Sequence, residues 1–71
     1  MFSNTNQLPR NKTCYEIISQ CLALYRLPMV PTMNEAYTTE TYHGVSDNGG
    51  NTVLIVDWTD YTMTLFWSAE H

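Results

Sequence analysis

Thr52-Val53-Leu54-Ile55-Val56-Asp57-Trp58, a Thr59-Asp60 break, and Tyr61-Thr62-Met63-Thr64-Leu65-Phe66-Trp67 form the stretch whose reading decides the fold. Both runs are rich in β-branched and aromatic residues, which suit a pleated, half-buried surface. With Thr59-Asp60 as a two-residue turn, Trp58 faces Tyr61, Val56 faces Met63 and Leu54 faces Leu65. All six are apolar, so one face of this hairpin, extended by Trp67, belongs to the core. Thr-Asp is an unfavoured pair for such a turn, and an odd-numbered connection would break the match.

The same pairing places Val53 beside Phe66 and Ile55 beside Thr64 on the opposite face. Upstream lies Ser46-Asp47-Asn48-Gly49-Gly50-Asn51, whose Asn-Gly and Gly-Gly pairs supply the positive φ angles of tight hairpin turns. Before it, Ala36-Tyr37-Thr38-Thr39-Glu40-Thr41-Tyr42-His43 has the Thr and Tyr content of a strand. Turning about Asn48-Gly49 sets Tyr42 opposite Ile55. Tyr42, Val53, Ile55 and Phe66 then form an apolar strip, flanked by Glu40 and Asp57, on the side away from the core.

Further out, Thr13-Cys14-Tyr15-Glu16 fits a capping box, and Cys14, Ile17, Ile18, Cys21, Leu22, Leu24 and Tyr25 recur at helical spacing. Pro28 and Pro31 close this helix, whose Cys14, Ile17, Ile18, Cys21 and Tyr25 are expected to cover the sheet. Residues 1–12 are polar, contain Pro9 and show no periodicity, so they read as an arm. The expected fold is α+β, one N-terminal helix packed on a three-stranded antiparallel β-meander in the order α-β-β-β. A single domain spans residues 1–71, with the arm at 1–12, the helix at 13–27 and strands at 36–45, 52–58 and 61–68. One helix covers one side of a sheet, so the strip must meet the arm, through Phe2 and Leu8, a second subunit, or a partner.

Seventy-one residues with 44% apolar content, two Trp, five Tyr and two Phe suffice for one small core. Cys14 and Cys21 lie seven apart on one helix, about 10 Å, beyond disulfide reach, and read as small core hydrophobes. The N-terminal stretch lacks a signal-like apolar run, and nothing approaches the ~20 apolar residues of a membrane helix, so a cytoplasmic location is expected. Residues 1–34 carry a formal charge of +2 and residues 35–71 one of −6, giving −4 overall. That balance opposes nucleic-acid binding, which needs Lys and Arg to replace phosphate counterions.

Catalytic chemistry finds no foothold in the pattern. His43 and His71 are the only histidines, and neither has a local nucleophile or orienting partner. No Walker-type, GxSxG, HExxH or GxGxxG pattern occurs. Asp47-Asn48-Gly49-Gly50-Asn51 lacks the alternating oxygens and closing Glu of a calcium loop. No cofactor, metal or catalytic residue is therefore expected. The expected function is that of a small acidic protein-binding module, accessory or inhibitory, of the kind carried by phages and mobile elements. It would occlude a basic surface of a larger nucleic-acid-handling protein through Tyr42, Val53, Ile55, Phe66, Glu40 and Asp57. The alternative is a structural protein that forms homo-oligomers through its sheet face or an edge strand.

Overall fold

The computed structural model describes residues 2–45 and 49–68. Its elements are β1 (Phe2–Gln7), α1 (Thr13–Leu24), β2 (Thr32–Met33), β3 (Thr39–Val45), β4 (Asn51–Asp57) and β5 (Thr62–Trp67). The strands form one antiparallel sheet in the order β1-β5-β4-β3-β2. The expected three-stranded meander is thus corrected to a five-stranded sheet in a mostly β chain.

The β4–β5 hairpin has the register that its apolar pattern demands, with Leu54 opposite Leu65 and Val56 opposite Met63. The ladder ends at Asp57–Thr62, leaving the four residues 58–61 as the connection. An even count preserves the pairing of faces. Asp57 Oδ1 accepts from the Thr59 and Asp60 amides, and Tyr61 closes the turn at φ 52°. Trp58 and Tyr61 leave the turn edge to face, with centroids 5.5 Å apart.

The segment read as an arm is the edge strand β1, paired residue for residue with β5 from Phe2–Trp67 to Gln7–Thr62. Backbone hydrogen bonding holds it there, together with Thr5 Oγ1 against Thr64 Oγ1 at 3.0 Å and Gln7 Nε2 donating to the Asp60 and Tyr61 carbonyls. Neither Phe2 nor Leu8 crosses the sheet's second face. Phe2 stacks on Trp67 and Leu8 enters the core, both on the helix side.

Helix α1 starts without the expected Thr13–Glu16 capping box. The Asn11 side chain, two residues before Thr13, accepts from the Thr13 amide at 2.9 Å and takes the role of organising the first turn. Glu16 sits in that turn, where the helix dipole favours a negative charge. The end comes at Leu24, before the predicted 27, because Arg26 adopts φ 54° and reverses the chain. Arg26 N–H donates to Ala23 O and Leu27 N–H to Leu22 O, the paired bonds of a Schellman motif. Leu27 thereby returns to the core beside Leu22, while Tyr25, expected to cover the sheet, is left exposed. Leu27 lies so close to Gly44 that a Cβ there would meet its Cδ2 at 2.8 Å.

The strand expected at 36–45 is shorter, since residues 34–38 make a turn. Asn34 Oδ1 accepts from the Thr38 and Thr39 amides, and Tyr37 takes φ 57°. The register of β3 also shifts by one: Tyr42 lies opposite Leu54, not Ile55. Five residues, 46–50, separate the paired Val45 and Asn51, and this odd number turns β3 over relative to a two-residue hairpin. The turn assigned to Asn48-Gly49 lies partly outside the described residues.

One core results, made by Leu8, Cys14, Ile18, Leu22, Leu27, Tyr42, Leu54, Val56, Met63 and Leu65. Cys14, Ile18 and Leu22 stand one turn apart on α1, and both cysteines are free thiols. Burial pushes the Cys21 thiol up from its ordinary range, which lowers its thiolate content and its reactivity. Leu54 and Val56 are 0% exposed and Leu8 only 2%. Leu54→Ala, Leu65→Ala and Leu8→Ala are each expected to cost about 2–5 kcal/mol in chemical denaturation, while Tyr37→Phe stays within about 0.5 kcal/mol of the parent. A Leu8→Ala variant as stable as the parent would return residues 1–12 to the status of an undocked arm.

Candidate functional site

Side chains alternate along each strand, so the sheet sorts the predicted site residues onto two faces. Val53, Ile55 and Asp57 of β4 lie on the face away from α1, with Phe66 opposite Val53 and Thr64 opposite Ile55. On β3, His43 pairs with Val53 and Thr41 with Ile55. Thr5 of β1 reaches the same face, where its hydroxyl meets that of Thr64. Val53, Ile55 and Phe66 are half-buried between their cross-strand neighbours, and among the described residues the buried stripe of α1 packs on the other face.

The strip is therefore smaller in apolar residues than the sequence suggested and richer in threonine. Tyr42, predicted as part of it, is in the core on the helix side, and His43 takes its place. Thr39, Thr41 and Thr62 join Thr64 on this face, as the i, i+2 spacing of threonines on the two strands requires. His43 is exposed with Val53 opposite it, so its immediate cross-strand neighbour is apolar and offers no proton to relay. Among the described residues no group of three or more His, Cys, Asp or Glu is placed to hold a metal ion.

The two carboxylates also part company. Asp57 is on the open face, at its β4–β5 turn end, with Oδ1 engaged by the turn amides. Glu40 follows Tyr42 to the helix side, because both shift with the β3 register. There Trp58 Nε1–H donates to Glu40 Oε1 at 2.6 Å and the Tyr42 hydroxyl donates to Glu40 Oε2 at 3.3 Å. Glu40 is a bridge between two aromatic side chains and is not a rim charge for the strip. Tyr15 extends this aromatic group, 5.7 Å from Trp58, and the Arg10 guanidinium lies 4.5 Å above the Tyr61 ring.

Burial, with the Glu40 charge and its hydrogen bond adding to it, pushes the Tyr42 phenol up to about 12. The folded state thus favours the neutral phenol over the phenolate. Its contribution to stability is complete below the ordinary tyrosine value of about 10 and is lost as pH rises from there through 12. Spectrophotometric titration of phenolate in the folded protein should show one tyrosine ionising near 12, absent from Tyr42→Phe. That variant should also flatten the fall in stability along this alkaline limb, and an unchanged limb would contradict the assigned burial.

Compared with protein-family models, with curated proteins and with solved structures, the chain matches none of them.

Proposed function

We propose that the chain is a non-enzymatic protein-binding module that docks a larger protein on its open sheet face. One observation carries this reading: Val53, Ile55 and Phe66 form an apolar centre among threonines, on a side of the sheet that neither α1 nor β1 covers. An interface of this kind takes its affinity from a desolvated apolar centre and its orientation from the surrounding hydroxyls. Phe66 is the largest side chain of the three and the natural anchor.

Charge selects the partner. The chain carries −4 overall, and Asp57 presents a carboxylate at one end of the strip. A basic rim on the partner is attracted by this field, which raises the association rate more than the affinity. Nucleic-acid-handling proteins own such surfaces, and occluding one is the accessory or inhibitory role we infer.

Two substitutions separate the apolar and electrostatic parts. Phe66→Ala should weaken binding by about 1–3 kcal/mol, mainly through faster release, with the far-ultraviolet circular dichroism unchanged. Asp57→Asn retains the oxygen that the turn needs and removes the charge, so it should slow association and reduce its salt dependence. The measurement is a binding titration against the stoichiometric partner recovered on tagged protein from the native host. Equal affinity for Phe66→Ala and the parent would remove the open face as the contact.

A further inference from the structure

The two edges of the sheet are built differently. β2 is two residues long and follows Pro31, and Leu27 packs on Gly44 of the neighbouring β3. Shortness and proline are among the devices by which natural sheets prevent edge-to-edge pairing. Within its own span β1 has neither. It is six residues long, Phe2-Ser3-Asn4-Thr5-Asn6-Gln7, exposed at every position, without a charge, a proline or a bulge in its register.

The direction of its free hydrogen-bonding groups follows from one contact. Leu8 N–H donates to Tyr61 O at 2.7 Å, which makes the Leu8–Tyr61 pair a hydrogen-bonded one. By the alternation of an antiparallel ladder, Asn6, Asn4 and Phe2 also point their backbone groups at β5. The N–H and C=O of Ser3, Thr5 and Gln7 therefore point outward from the sheet.

We propose that this edge pairs antiparallel with β1 of a second copy of the chain, about a two-fold axis at Thr5. A two-fold contact requires a self-complementary surface. The segment from Phe2 to Leu8 meets that requirement in residue class: Thr5 at the centre, Asn4 and Asn6 on either side, then Ser3 and Gln7, then Phe2 and Leu8. In this register Thr5 opposes Thr5 of the partner subunit, Ser3 opposes Gln7, and Asn4 opposes Asn6. Phe2, 59% exposed in the single chain, opposes the Leu8 position, whose own side chain is buried in the core, so the contact rests on the positions from Ser3 to Gln7. Every outward N–H and C=O of the three free positions finds a partner, and no like charges meet. Strand pairing of this length buries less than the roughly 1,200 Å² of standard complexes, so the dimer is expected to be concentration-dependent.

Sedimentation equilibrium of the whole chain tests the proposal. Mass should double from 8.2 kDa with rising concentration, and the Ser3, Thr5 and Gln7 amides should gain hydrogen-exchange protection in step. Thr5→Pro removes an N–H that the native ladder does not use, so it should stay folded by circular dichroism and stay monomeric. Thr5→Lys and Thr5→Glu place like charges directly opposite each other and should each be monomeric, whereas their equimolar mixture should dimerise. This charge rescue reads the register even if the proline variant fails to fold. A parent chain that stays at 8.2 kDa up to its solubility limit overturns the proposal. So does a dimer that persists in a folded Thr5→Pro variant, or one abolished by Phe66→Asp, which would place the contact on the open face. None of these outcomes depends on whether Phe66 binds a larger protein.

Discussion

Leu54 and Val56 are sealed from solvent in the central strand, with Leu65 and Met63 opposite them on β5 and the buried stripe of α1 completing the same core. Each such side chain contributes about 1.5–3 kcal/mol on burial, against a total stability of about 5–15 kcal/mol for a domain. An exposed hydrogen bond contributes far less. The pairing of these four residues therefore decides which way β4 and β5 face, and the other elements take their orientation from it. Two flanking segments are each held to this core by one buried apolar residue. Leu8 draws the end of β1 under the sheet's helix side, and the reversal at Arg26 returns Leu27 to the same core.

The hairpin was legible because its apolar pairs agree over three positions and the connection, though four residues instead of two, is even. β3 offered no such redundancy. Thr39, Glu40, Thr41, Tyr42 and His43 place a polar residue on each face at nearly every step, so only Tyr42 distinguishes the registers. A slip of one residue therefore went unopposed by the pattern, and the odd connection settled it. β1 was illegible for a related reason. Its six residues carry no apolar alternation, and the strand is fixed by backbone bonds and by Leu8 just beyond its end, neither of which a periodicity reading detects.

The same two causes account for the candidate site. Val53, Ile55 and Phe66 were readable because they ride on the well-determined hairpin. Tyr42 and Glu40 were misplaced together because they ride on β3. The exchange changes what the acidic half of the chain does. Glu40 spends both carboxylate oxygens on Trp58 and Tyr42, tying the end of β4 to β3 across the helix side of the sheet. Asp57 fixes the next turn with one oxygen and keeps its charge on the open face. Two carboxylates that look alike in sequence are thus divided between internal architecture and surface field by the parity of one loop.

The open face and the β1 edge are linked by geometry. Ser3, Thr5 and Gln7, whose backbone groups point outward, are also the β1 residues whose side chains lie on the open face, opposite Phe66, Thr64 and Thr62. In an antiparallel pair, directly opposed residues project to the same side of the sheet. Two copies joined at β1 would therefore carry their open faces on one common surface, with both helices behind it. The paired Thr5 side chains would stand at its centre and a Phe66 strip on each side. A larger partner with repeated or extended surface would then be held at two points, the second engagement made intramolecular by the first. A weak edge contact and a modest apolar strip, each limited by the size of a 71-residue chain, would reinforce one another without any further burial in the core.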